Sequence, residues 1–251
     1  MSTDRDDVGV STTRKTFELL ETLADEDGLT ITELTKRTTV TKSTIYRHLS
    51  TLVDLGYVVE RDGAYFVGFR FLEISEQARN RRTGYTAAKR KVFELGQETD
   101  ERAGFIVEEK YEGVYIHRYG SLSGTMIGKR RPLHSLAAGK AILSEWDDDA
   151  VAEFIDAVGL DPSTDNTITD PDELYAELEK TRERGYAVNN EEHMSGLRGV
   201  AVPVHTPDET LLGALSVFGP TSRFKDEYVH EELPHRLWDK AGEIKVTLAY
   251  S

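Results

Sequence analysis

Apolar positions in the first third of the chain recur at helical spacing in three short runs. In residues 13–25 (TRKTFELLETLAD), Phe17, Leu20, Leu23 and Ala24 share one side of a predicted helix, and Gly28 ends the segment. A second, short helix is expected after Thr32 as N-cap, with Leu34 inward and the Thr38-Thr39 turn closing it. In the third, Thr41 is the expected N-cap and Val40 packs on Ile45 as a hydrophobic staple. Ile45, Leu49, Leu52 and Val53 form its apolar stripe; Lys42, Ser43, Tyr46, Arg47 and Ser50 occupy the opposite face, and Gly56 stops it. Two β-rich runs, 57–61 and 64–67, then flank Asp62-Gly63. That dipeptide supplies the two positive-φ residues a type I′ hairpin turn needs. Three short helices followed by a hairpin make a winged helix-turn-helix, whose third helix can enter a major groove while the wing rests on the backbone.

Residues 69–82 read as a further helix with Phe71, Leu72 and Ile74 near its start, broken at Thr83-Gly84, and 85–99 as another presenting Ala88, Val92 and Leu95. This stretch is the expected domain boundary and a candidate dimer surface. Beyond it, strands are expected over 103–109 and 113–119, joined by a turn at Tyr111-Glu112-Gly113, and near 124–128. A small-residue helix, 135–146, and an acidic helix, 148–157, follow. Asp170-Pro171 and Gly185 bracket another helix, with proline and glycine where helix ends prefer them. Strands at 199–205 and 210–218 and a closing helix from about 225 to 249, interrupted at Pro234, complete the pattern. Helices flanking an antiparallel sheet give an α+β domain. The expected organisation is a winged helix-turn-helix over 1–68, a linker helix over 69–83 and a ligand-sensing domain over 84–251.

Charge sharpens the picture. The chain carries a net charge of −14, an awkward total for binding polyanionic DNA. Residues 1–83 hold 12 basic and 14 acidic side chains, so −12 of that total lies in the remainder. Residues 34–53 have no carboxylate at all, yet carry Lys36, Arg37, Lys42, Arg47 and His48. A third helix that loses every acid on its polar face reads as a DNA-contacting face rather than a merely solvated one. Arg47 and Lys42 have the side chains that read guanine edges or hold phosphates; Ser43, Thr44 and Tyr46 are less committal, and Arg14 and Arg61 are phosphate candidates. The acidic excess elsewhere suits a high-salt cytoplasm, where acidic surfaces keep proteins soluble. No cysteine is present, which excludes disulfides and thiolate metal sites. A polar, acidic start without an apolar signal core, and no apolar run long enough to span a bilayer, set the expected location as the cytoplasm.

Catalytic patterns fail one by one. His230 and His235 are five apart with Pro234 between them, unlike the i, i+4 pair of a zinc helix. Glu191-Glu192-His193 reads as a solvated loop, Gly139-Lys140 lacks the rest of a phosphate-binding loop, His134 is expected to hydrogen-bond structurally, and Ser216 has no evident base. No catalytic residue, metal or cofactor is expected.

Four stretches, TKSTIYRHLSTLVDLGYV (41–58), GKRRPLHSLAAGKAIL (128–143), RERGYAVNNEEHMSGLRGVAVPV (182–204) and GALSVFGPTSRF (213–224), resemble in order and spacing the isocitrate-lyase-regulator (IclR) family of transcription factors. The resemblance implies a GAF-like effector domain, dimers or dimers of dimers, and palindromic promoter sites. It also implies small carbon metabolites as effectors, often carboxylates or sugar acids. Carried over by the family pattern, the effector residues are Ala137, Ala138, Asn189, Leu197, Gly199, Ser216 and Phe218, with Arg131 at the rim. Asn189 and Ser216 offer neutral hydrogen bonds, the backbone N–H groups at Ala137 and Ala138 can meet an anion, and Arg131 can clamp a carboxylate. Two rival readings stay open: a constitutive DNA-binding protein with a vestigial sensor, and an enzyme using its C-terminal domain.

Overall fold

The computed structural model describes residues 9–120 and 127–250. The chain divides into two compact units between Ala78 and Arg79.

The first unit packs α1 (Ser11–Ala24), α2 (Ile31–Arg37) and α3 (Lys42–Asp54) against the hairpin β1 (Val58–Arg61) and β2 (Ala64–Val67). Its core joins Leu19, Leu23, Leu34, Val40, Ile45, Leu49 and Val58. Asp62 and Gly63 take φ of 51° and 78°, as the I′ turn requires. Leu29 bridges to Tyr65 through two backbone hydrogen bonds of 3.1 and 2.8 Å, which fastens the wing to the loop before α2. Three local expectations are corrected. Leu19 is buried on α1, whereas Phe17 is 54 % exposed and Ala24 exposed, because the buried ridge is Leu19, Leu20 and Leu23. The N-cap of α2 is Thr30, in a reciprocal capping box with Glu33, which the expected Thr32 cap could not form. Thr41 is the N-cap of α3 by position, but its hydroxyl donates to Thr44 Oγ1 at 2.9 Å and caps no backbone N–H.

Helix α4 (Arg70–Arg79) has no buried residue; Phe69, Leu72 and Ile74 are 83, 61 and 47 % exposed.

In the second unit α5 (Thr83–Thr99) precedes β3 (Arg102–Glu109), β4 (Glu112–Tyr119) and β5 (Arg130–Pro132). Then come α6 (Ala137–Leu143), α7 (Asp148–Val158), α8 (Pro171–Arg184), β6 (Ala187–Asn190), β7 (Leu197–His205), β8 (Leu211–Pro220) and α9 (Leu233–Ala249). The six strands form one antiparallel sheet in the order β5-β4-β3-β8-β7-β6. Helices α5 and α9 cover one face over Phe105, Val200, Val202, Leu215 and Val217. Helices α6 to α8 cover the other over Ile106, Ala187, Ala201 and Ala214. Burial on both faces explains why the central strands are almost uninterruptedly apolar. The α+β expectation for this domain is met.

Several boundaries differ from expectation. The β3–β4 turn is Lys110-Tyr111, both left-handed at φ 57° and 65°. Most of the strand expected at 124–128 lies outside the described residues. The short edge strand β6 was not anticipated; its four residues show no alternation of their own and are ordered by pairing with β7. Pro234 does not interrupt α9 but sits in its first turn, where a missing N–H costs nothing, after a wide π-turn over Tyr228–Glu232.

All seven residues of α6 are buried. It approaches the preceding loop so closely that a Cβ on Gly139 would lie 2.0 Å from the Leu133 carbonyl oxygen. Gly139→Ala is therefore expected to destabilise the second unit by about 3 kcal/mol, read as a lowered urea midpoint in its unfolding transition; an unchanged midpoint would contradict this packing.

Candidate functional site

Two surfaces answer to the sequence candidates, one in each unit. On α3, Lys42, Ser43, Tyr46, Arg47 and Ser50 are exposed, while Ile45, Leu49 and Leu52 face the core. Ile31, Thr41, Lys42, Ser43, Tyr46 and Arg47 edge a shallow open groove between the start of α2 and α3. Thr44 is half-buried and takes the Thr41 hydrogen bond, so it is the least available of the candidates. His48, also in the acid-free window, bonds through Nδ1 to Thr16 Oγ1 at 2.8 Å and ties α3 to α1. Arg14 and Arg61 are exposed, on α1 and at the end of β1 respectively.

In the second unit all eight effector candidates line one cavity of about 230 Å³: Arg131, Ala137, Ala138, Asn189, Leu197, Gly199, Ser216 and Phe218. Distant segments supply them. Gly199 stands opposite both Asn189 on β6 and Phe218 on β8, and Arg131 opposite Gly113. The two alanines lie at the start of α6. Gly199 is bare for a reason: a Cβ there would press to 3.0 Å from that of Phe218.

The walls are held by hydrogen bonds that consume some of the candidates. Asn189 donates through Nδ2 to the Ser135 carbonyl and accepts from the Glu192 N–H at 3.2 Å. Its side chain is thus largely committed to shaping the wall. Ser216 makes a long contact to the Gly104 carbonyl at 3.5 Å. His134 Nε2 donates to the Asp161 carbonyl at 3.1 Å, as expected of a structural histidine. The expectation that Glu191-Glu192-His193 is a solvated loop is corrected. Glu192 is 6 % exposed; both of its carboxylate oxygens accept from Lys140 Nζ at 2.7 Å, and Oε1 also accepts from the Asn190 N–H at 3.1 Å. His193 hydrogen-bonds Ser135 Oγ at 3.2 Å and faces the cavity. A buried lysine supplied the partner, and no local pattern announced it.

Sequence reasoning also passed over Tyr115, Lys129, His193, Met194 and Arg198 among the lining residues. Lys129 and Arg198 lie within the family-like stretches, close to Arg131 and next to Leu197 and Gly199, so charge beside a pocket residue is the available signal. Tyr115 lies far from the others in sequence and offered none. Burial pushes its hydroxyl up to about 12, so it stays neutral beside the Phe218 ring. Lys129, Arg131 and Arg198 give the lining three cations, and no carboxylate lines it among the described residues. A cationic cavity with aromatic and small apolar walls is chemically suited to an organic anion.

The chain matches the profile of the IclR helix-turn-helix domain over residues 12–62 and that of the bacterial transcriptional regulator IclR C-terminal region over 80–246. It is 34 % identical over 253 residues to the HTH-type transcriptional regulator KdgR of Escherichia coli (strain K12), covering 98 % of this chain and 96 % of that protein. The crystal structure of the Thermotoga maritima IclR superimposes with a TM-score of 0.83 at 31 % identity, over 95 % of this chain and 99 % of that one. A double mutant of the PobR inducer-binding domain from Acinetobacter, in complex with 3-hydroxybenzoic acid, gives a TM-score of 0.60 at 27 % identity. It covers 64 % of this chain and 96 % of that one.

Burial pulls the His193 imidazole below its ordinary range, with the Arg131 charge adding to the effect, and burial does the same to His134. Below about pH 6.5 an unfolded chain takes up protons that these folded sites resist. Their contribution to stability is therefore present above that pH and lost as pH falls. His193→Gln is expected to lessen the drop in urea midpoint between pH 7.5 and pH 5.5, at fixed salt; an identical drop in both proteins would remove His193 from the account.

Proposed function

As a member of the IclR family of bacterial transcriptional regulators, the chain is a DNA-binding regulator with an effector-binding C-terminal domain, and we propose that it switches a catabolic operon in response to a small organic or sugar acid held in the cavity beside α6. The observation that carries this reading is the convergence of eight residues from α6 and four strands on one cavity lined by three cations and no carboxylate. The organic acid named with the PobR inducer-binding domain supports the same ligand class.

On the DNA side, Lys42, Ser43, Thr44, Tyr46 and Arg47 meet the major groove from α3, and Arg14 and Arg61 hold flanking phosphates. Two copies reading a palindrome place their heads about one helical turn apart. The ligand acts by favouring one arrangement of the heads through differential affinity. In the cavity, Arg131 and Lys129 meet the acid group, Ser216 hydrogen-bonds, and Ala137, Ala138 and Gly199 leave the room. The acidic excess of the chain supports a setting in the cytoplasm of a salt-loving cell. Electrostatic screening there shortens to about 3 Å at 1 M salt, so base-edge contacts carry more of the specificity than phosphate contacts do.

Arg47→Ala is expected to weaken binding to the protein's own promoter by about 1–3 kcal/mol in a footprinting titration at the salt of its natural setting, with the fold retained. Equal affinity for promoter and scrambled duplex in the unmodified protein would end the DNA reading. Ala137→Leu, which fills the cavity, is expected to bind the promoter normally yet lose its response to a panel of small organic acids. If no acid alters the footprint of the unmodified protein, the sensing reading fails.

A further inference from the structure

Beyond the cavity residues already described, β3 begins with Arg102 and β4 carries Arg118. In the sheet, Arg118 and Ser216 both stand opposite Gly104, and Phe218 opposite Arg102. All four side chains therefore rise from the same face, which floors the cavity at Ser216 and Phe218. The Arg118 guanidinium carbon lies 5.9 Å from the centre of the Phe218 ring, so this side chain leans across β3 above Gly104.

Arg102 Nη1, Arg118 Nε and Arg118 Nη2 are buried and have no hydrogen-bond partner among the described residues. Arg182, Arg184, Arg198 and Arg223 each meet a carboxylate. Glu101, next to Arg102 in the chain, is spent on Arg223 with a contact of 2.7 Å. Burial pulls Arg118 below the usual arginine range, and the Arg102 charge adds to this. A chain with 45 acidic and 31 basic side chains has carboxylates to spare. Two neighbouring guanidiniums left with buried, unpaired N–H groups are costly unless a ligand brings the negative charge.

We propose that Arg102 and Arg118 form a seat for a second carboxylate or phosphate group, besides the one that Arg131 and Lys129 meet, of an acid whose carbon body lies over Phe218 and Tyr115. The placement of that body rests on the cavity being the effector site; the seat rests on the two arginines alone.

The test follows the melting temperature of the full chain during titration with inorganic phosphate and, separately, malonate, with ionic strength held constant by potassium chloride. At least one anion raises it, and which one identifies the head group the seat takes. Arg102→Met and Arg118→Met each weaken that response about tenfold or more, and Arg118→Lys retains part of it. Because methionine removes an uncompensated charge, the ligand-free methionine variants melt at or above the unmodified protein. An equal rise in all variants reflects general exclusion of the salt from protein surfaces and overturns the seat. So does a methionine variant that melts lower and keeps its response, since the arginines then serve packing. No rise with either anion in the unmodified protein refutes it as well. Ala137→Leu separates this seat from the cavity reading. The anion response persists in it, even if no organic acid ever alters the DNA footprint. If Ala137→Leu abolishes the response while the arginine variants keep it, the anion belongs beside α6 and the seat is refuted.

Discussion

One buried ion pair holds the second unit's working parts in register. Lys140 on α6 is 1 % exposed, and its ammonium sits 2.7 Å from both oxygens of Glu192, with Glu177 on α8 at 3.7 Å. Glu177 in turn meets Arg184 at 2.8 Å. The pair thus ties together the helix that presents Ala137 and Ala138, the loop after β6, and α8. Hydrogen bonds from Thr164 to the Glu191 carbonyl at 2.8 Å and from Thr167 to that of Glu192 add a second fastening. Removing either partner would leave a charge in a site water does not reach, a loss of about 3–5 kcal/mol for pairs of this kind. The cavity's far wall, including Asn189 and His193, inherits its position from this lock.

Charge is distributed so that a strongly acidic molecule keeps cations where anions must come. The polar face of α3 carries no carboxylate before its last residue, Asp54, and the cavity lining carries none among the described residues. Elsewhere acids pair with Arg130, Arg182, Arg184 and Arg223 or are exposed, as Asp148 is, and the exposed Asp226, which is not in the lining, meets the cavity's Arg198. On the function proposed above, the acidic remainder serves solubility and the acid-poor patches serve recognition. A net charge of −14 therefore says little about function until it is resolved by position.

What could be read directly from residues was whatever short-range physics controls. The stripe of Ile45, Leu49 and Leu52, the Asp62-Gly63 turn and the Asp170-Pro171 start of α8 were all evident before the fold was known. The failures were of two kinds. Near-equivalent neighbours, such as Thr30 against Thr32 or Leu19 against Phe17, are separated only by helix phase and cap geometry. Long-range partners leave no trace in the sequence: β6 acquires order from β7, and Glu192 reads locally as a solvated loop residue because its partner Lys140 lies 52 positions away. The eight cavity residues came from the family resemblance; no spacing among them points to a common site.

By itself, the order of residues determined the winged helix-turn-helix, the acid-free run 34–53 that includes most of its third helix and the mixed helix-and-strand character of the rest. These depend on periodicity, turn chemistry and local charge, which act over a few residues. Tertiary structure alone decided that β3 and β8 bring Arg102, Arg118 and Phe218 to one face, and that a lysine and a glutamate meet out of water. Side chains contributed by strands far apart along the chain become neighbours only when backbone hydrogen bonds set the register, and that register carries no local signature.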